Sequence, residues 1–380
     1  MIGSSRSIIR TLHISQVHIP KRRGWDRVLS EAEKLVGFPS SFASLSAFMN
    51  EDMSNWAVHA RKLASSNHPF TTTMKRLVFQ GRNSLQVRGL ISLLFSRLIN
   101  DPEHFKNNDD FIKEHGILKV QQQLAETLEL IYTAQYIHRS LINLPNDLHS
   151  RVDSELKDDL LQLEFGNKIA LLGGDYLLAQ ACMNLALMRS SMIVDIISKS
   201  LIDFTQSEFI TTRDVSGRHL PKKDQIIYKH WELRSSLSWA GLMANVCRGS
   251  CSLGGHSIEL QNLGYRFGIH FALAHQAQME IDVISECPVD GFDLTSLPLV
   301  FYFQNNKKLL SNLPIRGNQL IVDEVNWKEI SHQILTGDAL EKTHEVIEDH
   351  SDVCEKELKK LRDDESKNVL LKLIKHLKDV

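Results

Sequence analysis

From Trp25 to the C-terminus, apolar residues return every three to four positions, and this period restricts the chain to helices more strongly than any other feature. The stretch DRVLSEAEKLVGF shows the pattern: Asp26 stands at a cap position, Glu31 and Glu33 follow, and Gly37 precedes Pro39 at the stop. The same reasoning predicts helices over 54–66, 84–99, 117–143, 165–190, 192–208, 226–249, 256–284 and 354–378. No alternating run of Val, Ile or Thr ends in an Asn-Gly or Asp-Gly turn, so sheet is not expected. The fold class is all-α, read as a single large helical bundle over residues 26–380. Stretches 100–114 and 211–225, rich in charge and turn residues, join helices rather than domains. Leu370, Leu373, Ile374 and Leu377 form one stripe near the C-terminus, which suits packing onto the bundle.

Composition narrows the function. With 380 residues, 42% of them hydrophobic, the chain can bury a large core. The net charge of -2 and the even spread of basic residues argue against a nucleic-acid partner. Apolar runs such as 169–179 break well before the roughly 18 residues of a spanning helix, so a transmembrane protein is not expected. Five cysteines (Cys182, Cys247, Cys251, Cys287 and Cys354) fit reduced, packed thiols. His344 and His350, near several acids, read as part of an exposed polar helix. Residues 1–25 contain Arg6, Arg10, Lys21, Arg22 and Arg23 and one acid-free apolar face, the composition of a mitochondrial transit peptide.

The stretch FGNKIALLGGDYLLAQA, 165–181, carries Lys168 and Asp175 within an apolar helix, where each needs a partner or solvent. Its spacing resembles a helix of the trans-polyprenyl diphosphate synthases, which have the all-α isoprenoid synthase fold. The likeness continues in order. Glu129, Ile131, Ala134 and His138 match the family's E-x-I-x-x-A-x-x-x-H-D-D-x-x-D. NSLQVRG at 83–89 stands for G-G-K-R-x-R-P, FGIHFALAHQ at 267–276 for Y-G-x-x-L-G-x-A-F-Q, and DLTSLPLVF at 293–301 resembles T-L-P-L-I.

The resemblance implies a chemistry whose residues can be followed position by position. Prenyl elongation ionises an allylic diphosphate held by magnesium, and magnesium prefers carboxylate oxygens and water. Two D-D-x-x-D motifs on facing helices would supply them, the first and fifth positions sharing a helical face. Here the first motif reads Arg139, Ser140 and Asn143, and the second reads Met279, Glu280 and Val283, with Asp282 one place out of register. The acid pairs Asp109-Asp110, Asp158-Asp159 and Asp363-Asp364 lack a fifth-position acid and read as solvated helix ends. Of the basic diphosphate contacts Arg88 remains, whereas Leu85 and Gln86 replace Lys and Arg, and Ser238-Trp239-Ala240 replaces K-T-A.

These losses with the helical pattern intact resemble the non-catalytic-subunit branch of the family. That branch implies a mitochondrial matrix protein with no cofactor of its own. Its partner would be a magnesium-dependent catalytic polyprenyl diphosphate synthase subunit, joined in a heterotetramer that makes the ubiquinone side chain. The alternative is an atypical, self-active magnesium-dependent prenyltransferase using Glu280, Asp282 and Asp175. Arg88, Lys168, Asp175 and Gln276 stand as residual substrate or structural contacts. Ala134 stands either as a small residue lining a chain tunnel or as a packing residue, and Arg139 faces an acid of its own chain, an acid of the partner, or solvent.

Overall fold

In the computed structural model, the structure describes residues 23–37, 68, 87–105, 108–144, 157–214, 217–288, 291–317 and 319–379. The transit-peptide stretch to residue 22, the helix expected at 54–66, and Leu85 and Gln86 lie outside the described residues. The helices are α1 (Arg23–Val36), α2 (Val87–Ile99), α3 (Lys119–His138), α4 (Lys157–Leu187), α5 (Ser191–Ser207), α6 (Tyr228–Ser235) and α7 (Gly241–Leu253). They continue with α8 (Ile258–Glu286), α9 (Leu297–Asn305), α10 (Lys307–Ser311), α11 (Trp327–Leu335), α12 (Asp338–Lys359) and α13 (Glu365–Lys378).

One large buried cluster joins these helices from Trp25 to Leu377, consistent with a single bundle. Within it α8 is the axis, flanked by α7 on one side and α12 on another, while α3 lies along α4. α8 buries Phe267, Phe271, Leu273, Ile281 and Ile284 against the core and carries polar residues at its partly exposed positions. Ser257 starts it by accepting a hydrogen bond from the Leu260 amide, and Cys287 ends it in the left-handed region at φ 45°.

The approach of α7 to α8 depends on glycine. A Cβ on Gly268 would lie 2.7 Å from the Cα of Ala244, a backbone atom that cannot step aside. Gly268→Ala is therefore expected to lower stability by about 1–3 kcal/mol, the usual cost of overpacking, read as a fall in urea midpoint at unchanged slope.

Four sequence expectations are corrected. The helix expected over 117–143 ends at His138, so Arg139, Ser140 and Asn143 lie beyond it. The segment 226–249 is broken by a π turn at Ser236–Ala240, where Ser238 has non-helical angles (φ -89°, ψ -108°). The segment 354–378 is two helices, and Asp364 caps the second by accepting from the Ser366 amide at 2.7 Å. Sheet is also present, in two short hairpins. β1 (Phe111–Ile112) pairs with β2 (Ile117–Leu118), and β3 (Ile315–Arg316) with β4 (Gln319–Leu320). Asp109 and Asp110 thus begin a hairpin instead of ending a helix.

The histidine expectation is corrected as well. His350 is buried on α12, with its Nδ1 2.7 Å from His270 Nδ1 and its Nε2 3.3 Å from the Tyr228 hydroxyl. Burial, then His270, pushes its pKa down to about 4, so it packs as a neutral ring. Among the cysteines, Cys247, Cys251 and Cys354 are buried, Cys287 is half-buried and Cys182 is exposed.

Candidate functional site

The end of α3 brings the first-motif positions into view. Arg139 closes the helix with its amide donating to Gln135 O, and the Ser140 hydroxyl turns back to Ile137 O at 2.6 Å. Ser140 is buried whereas Asn143 is exposed, so the three positions no longer share a helical face. Asn167 on α4 clamps this segment, donating to Ile142 O and accepting from its amide, both at 2.8 Å. The Arg139 guanidinium forms an ion pair with Glu208, at the end of α5, which Arg213 also meets. The acid that Arg139 meets is therefore in its own chain.

Arg139 is also one end of a stacked column. Its guanidinium carbon lies 4.6 Å from the ring centre of Trp239. Trp239 stacks on Tyr132 at 4.6 Å and 11°, and Arg88 lies beside the pair, 4.1 Å from the ring centre of Tyr132 and 5.4 Å from that of Trp239. Phe204 meets Trp239 edge-on at 4.8 Å. Cations near aromatic faces attract the ring quadrupole, so the stack is held electrostatically as well as by contact. The Tyr132 hydroxyl donates to the Trp239 carbonyl, and burial pushes that phenol up. Arg88 and Trp239, at positions the resemblance assigns to diphosphate binding, are thus part of a packed internal stack. Ala134, on the same helix as Tyr132, is fully buried.

Below Arg88, Glu129 accepts from the Gly89 amide at 2.6 Å and is buried. Burial pushes its carboxyl up to about 7, against the pull of Arg88. The folded state then binds this proton more tightly than the unfolded chain, whose ordinary value is 4.5. Its stabilising contribution is complete below the ordinary value and is lost as pH rises through about 7. Between those limits the Glu129 contribution is expected to fall by at most about 1.4 kcal/mol per pH unit, and Glu129→Gln to flatten the slope in urea titrations.

The second motif lies on α8. Glu280 accepts three hydrogen bonds: from Trp231 Nε1 at 2.9 Å and the Leu297 amide at 2.7 Å on one oxygen, and from Gln276 Nε2 at 2.8 Å on the other. Leu297 opens α9, so Glu280 serves as an external cap for that helix. Burial pushes its carboxyl up to about 7, and Arg234 opposes the shift. Asp282 accepts from Gln278 at 3.2 Å, Val283 packs against the core and Met279 is half-buried.

Sequence reasoning missed Asp293, which accepts from the Thr295 amide at 2.9 Å and its hydroxyl at 2.6 Å. Burial raises its carboxyl, but His219, Arg234 and Thr295 together hold it well below the usual range. The readable signal was an Asp two residues before a Thr, just ahead of Leu297-Pro298.

Between these two ends, Val87, Arg88, Ile91, Tyr132, Trp239 and Phe271 line a cavity of about 20 Å³, on the scale of a water or two. His275, at the family's Phe position, stacks on Trp25 at 5.8 Å. Magnesium, which the resemblance implies for such a centre, does not fit these residues. The first-motif side chain nearest the column is a cation, the Glu280 oxygens are occupied by fixed N–H donors, and no group of three His, Cys, Asp or Glu placed to hold a metal occurs among the described residues.

Lys168 and Asp175 point elsewhere. Both are exposed on α4, and Asp175 lies 3.4 Å from His138. They share a face with Leu161 (55% exposed), Phe165, Leu172 (52%), Met183 (52%) and Leu187 (61%). At 3.6 residues per turn those five apolar residues fall within about 80° of arc. Exposed Val194 and Ile202 on α5 and Phe209 beyond it add to the uncovered apolar surface. α4 is also long and apolar enough to cross a membrane by length and composition, but it is packed along α3.

Three comparisons bear on this arrangement. The chain is 37% identical over 281 residues to the human "All trans-polyprenyl-diphosphate synthase PDSS2", covering 73% of this chain and 68% of the relative, and 36% identical to the rat protein over the same shares. It is 24% identical over 306 residues to the "Probable hexaprenyl pyrophosphate synthase, mitochondrial" of Yarrowia lipolytica, covering 68% of this chain and 66% of that one. Among solved structures, a polyprenyl synthase from Caulobacter crescentus with calcium and isoprenyl diphosphate matches with a TM-score of 0.58 at 16% identity, over 95% of this chain and 99% of that one. A decaprenyl diphosphate synthase from Rhodobacter capsulatus matches at 0.54 and 17%, over 90% and 99%. These structures share the fold. No protein-family profile matches the chain.

Proposed function

This chain belongs to the all-trans-polyprenyl diphosphate synthase family, and we propose that within it the chain is a non-catalytic subunit, required by a catalytic synthase subunit that supplies the magnesium and the chemistry. The observation that carries the reading is the state of the two Asp-rich positions: one holds an arginine already paired with Glu208, the other a glutamate already committed to α9. Elongation needs several carboxylates that are free to bind metal as diphosphate departs. Neither position offers one.

The same reading takes the assembly to be a heterotetramer in the mitochondrial matrix that makes the ubiquinone side chain. The mitochondrial name of the Yarrowia relative and the names of the mammalian relatives support it. The uncovered apolar face of α4 supports a stable subunit contact, because monomers rarely leave a contiguous apolar strip open. Lys168 and Asp175, interspersed along that strip, would then fix its register instead of touching substrate.

The test is a paired assay. The purified chain, given magnesium, farnesyl diphosphate and isopentenyl diphosphate, is expected to yield no elongated product. Co-expressed with a catalytic synthase subunit of the same organism, it is expected to co-purify and raise that subunit's output. Robust elongation by this chain alone, or an equally active and stable partner without it, would sink the reading.

A further inference from the structure

We propose that this chain has replaced the metal ions of its family's two Asp-rich positions with fixed groups of its own, the Arg139 guanidinium at the first and three N–H donors on Glu280 at the second, so that its folded arrangement is independent of magnesium and diphosphate. The inference rests on the non-catalytic reading above and adds how the emptied centre is kept in shape.

At the first position the cation is fixed on two sides. Glu208 reaches it from the end of α5, and Trp239 and Phe204 present rings at 4.6 and 5.6 Å from its guanidinium carbon. A planar guanidinium can pair with a carboxylate in its plane and stack on an aromatic face at once, which a hydrated metal ion cannot do. Arg139 therefore ties α3, α5 and the π turn together. A divalent ion brought to the same place would meet a fixed positive charge.

At the second position the geometry has the same logic. Glu280 is half-buried, and N–H donors from α6, α8 and the start of α9 converge on its carboxylate. Gln276, Trp231 and the Leu297 amide hold both oxygens of Glu280, and Thr295 holds Asp293 Oδ1 twice. The groups that meet these positions in place of a metal are here part of the chain itself.

The experiment uses the full chain. Mn2+ is titrated by electron paramagnetic resonance with and without inorganic pyrophosphate, and thermal midpoints are recorded in EDTA and in magnesium with pyrophosphate. The expected result is no saturable Mn2+ uptake and the same midpoint in both media. A saturable Mn2+ site, or a midpoint that falls in EDTA, overturns the proposal. As an independent readout, Arg139→Ala is expected to lower the midpoint more than Arg139→Lys, which keeps the charge; equal losses overturn the replacement of the metal by Arg139. Mn2+ binding without elongation would sink this proposal alone, whereas elongation by the chain itself would sink the subunit reading.

Discussion

Leu172→Glu is expected to abolish co-purification with the catalytic subunit while leaving the thermal midpoint of the isolated chain unchanged. Leu172 is 52% exposed near the middle of α4, so a charge there costs the folded monomer little. In a closed apolar contact the same carboxylate would lose its water without a partner, and one desolvated charge costs several kcal/mol. Affinity should fall at least about 100-fold, a loss of roughly 2.7 kcal/mol or more, measurable by sedimentation or by titration of one subunit into the other. Activity of the mixture should fall in parallel. A variant that still co-purifies at wild-type yield would move the contact off α4.

Trp239→Ala is expected to have the largest effect on the chain itself. It removes the ring that Tyr132, Phe204, Arg88 and Arg139 all touch. The lost contact and the cavity left behind should cost about 3–5 kcal/mol, as for other large aromatic truncations, seen as a lower urea midpoint. Trp239→Phe, which keeps a face for both guanidiniums, should recover much of it. With the proposed contact on α4, Trp239→Phe should bind the catalytic subunit as well as wild type does. Failure to bind would place the column in the contact.

The bundle was legible in the sequence because helical period is a local property. The start of α5 and the extent of α8 were within two residues of their observed limits. The breaks were less legible. Residues 360–364 keep enough polarity to pass as an amphipathic helix, and only the Asp364 cap marks the restart. The hairpin at 111–118 is too short for alternation to show. His350 read as exposed because Glu345, Glu348 and Asp349 nearby are charged, yet the ring turns inward onto His270.

At the site, the motif positions were legible and their contacts were not. That Arg139 replaces an acid is plain from the sequence; that it meets Glu208, 69 residues later, is a property of the folded chain. The column joins residues 88, 132, 139 and 239 from three separate segments, and stacking has no local signature. Glu280 read as a remnant of a metal site, but its hydrogen bonds identify it as a brace for α9.

The π turn at Ser236–Ala240 has an evolutionary side. A π turn holds one more residue than the α-helical turn it interrupts, and Gly241 closes it: a Cβ there would sit 2.3 Å from Ser236 O. Trp239 sits on that extra loop of backbone, between two helices whose own packing is set by other residues. The ring is therefore carried on backbone that can give locally, so a substitution at this position, where the resemblance places the Thr of K-T-A, can close the centre while the phase of α6 and α7 is kept.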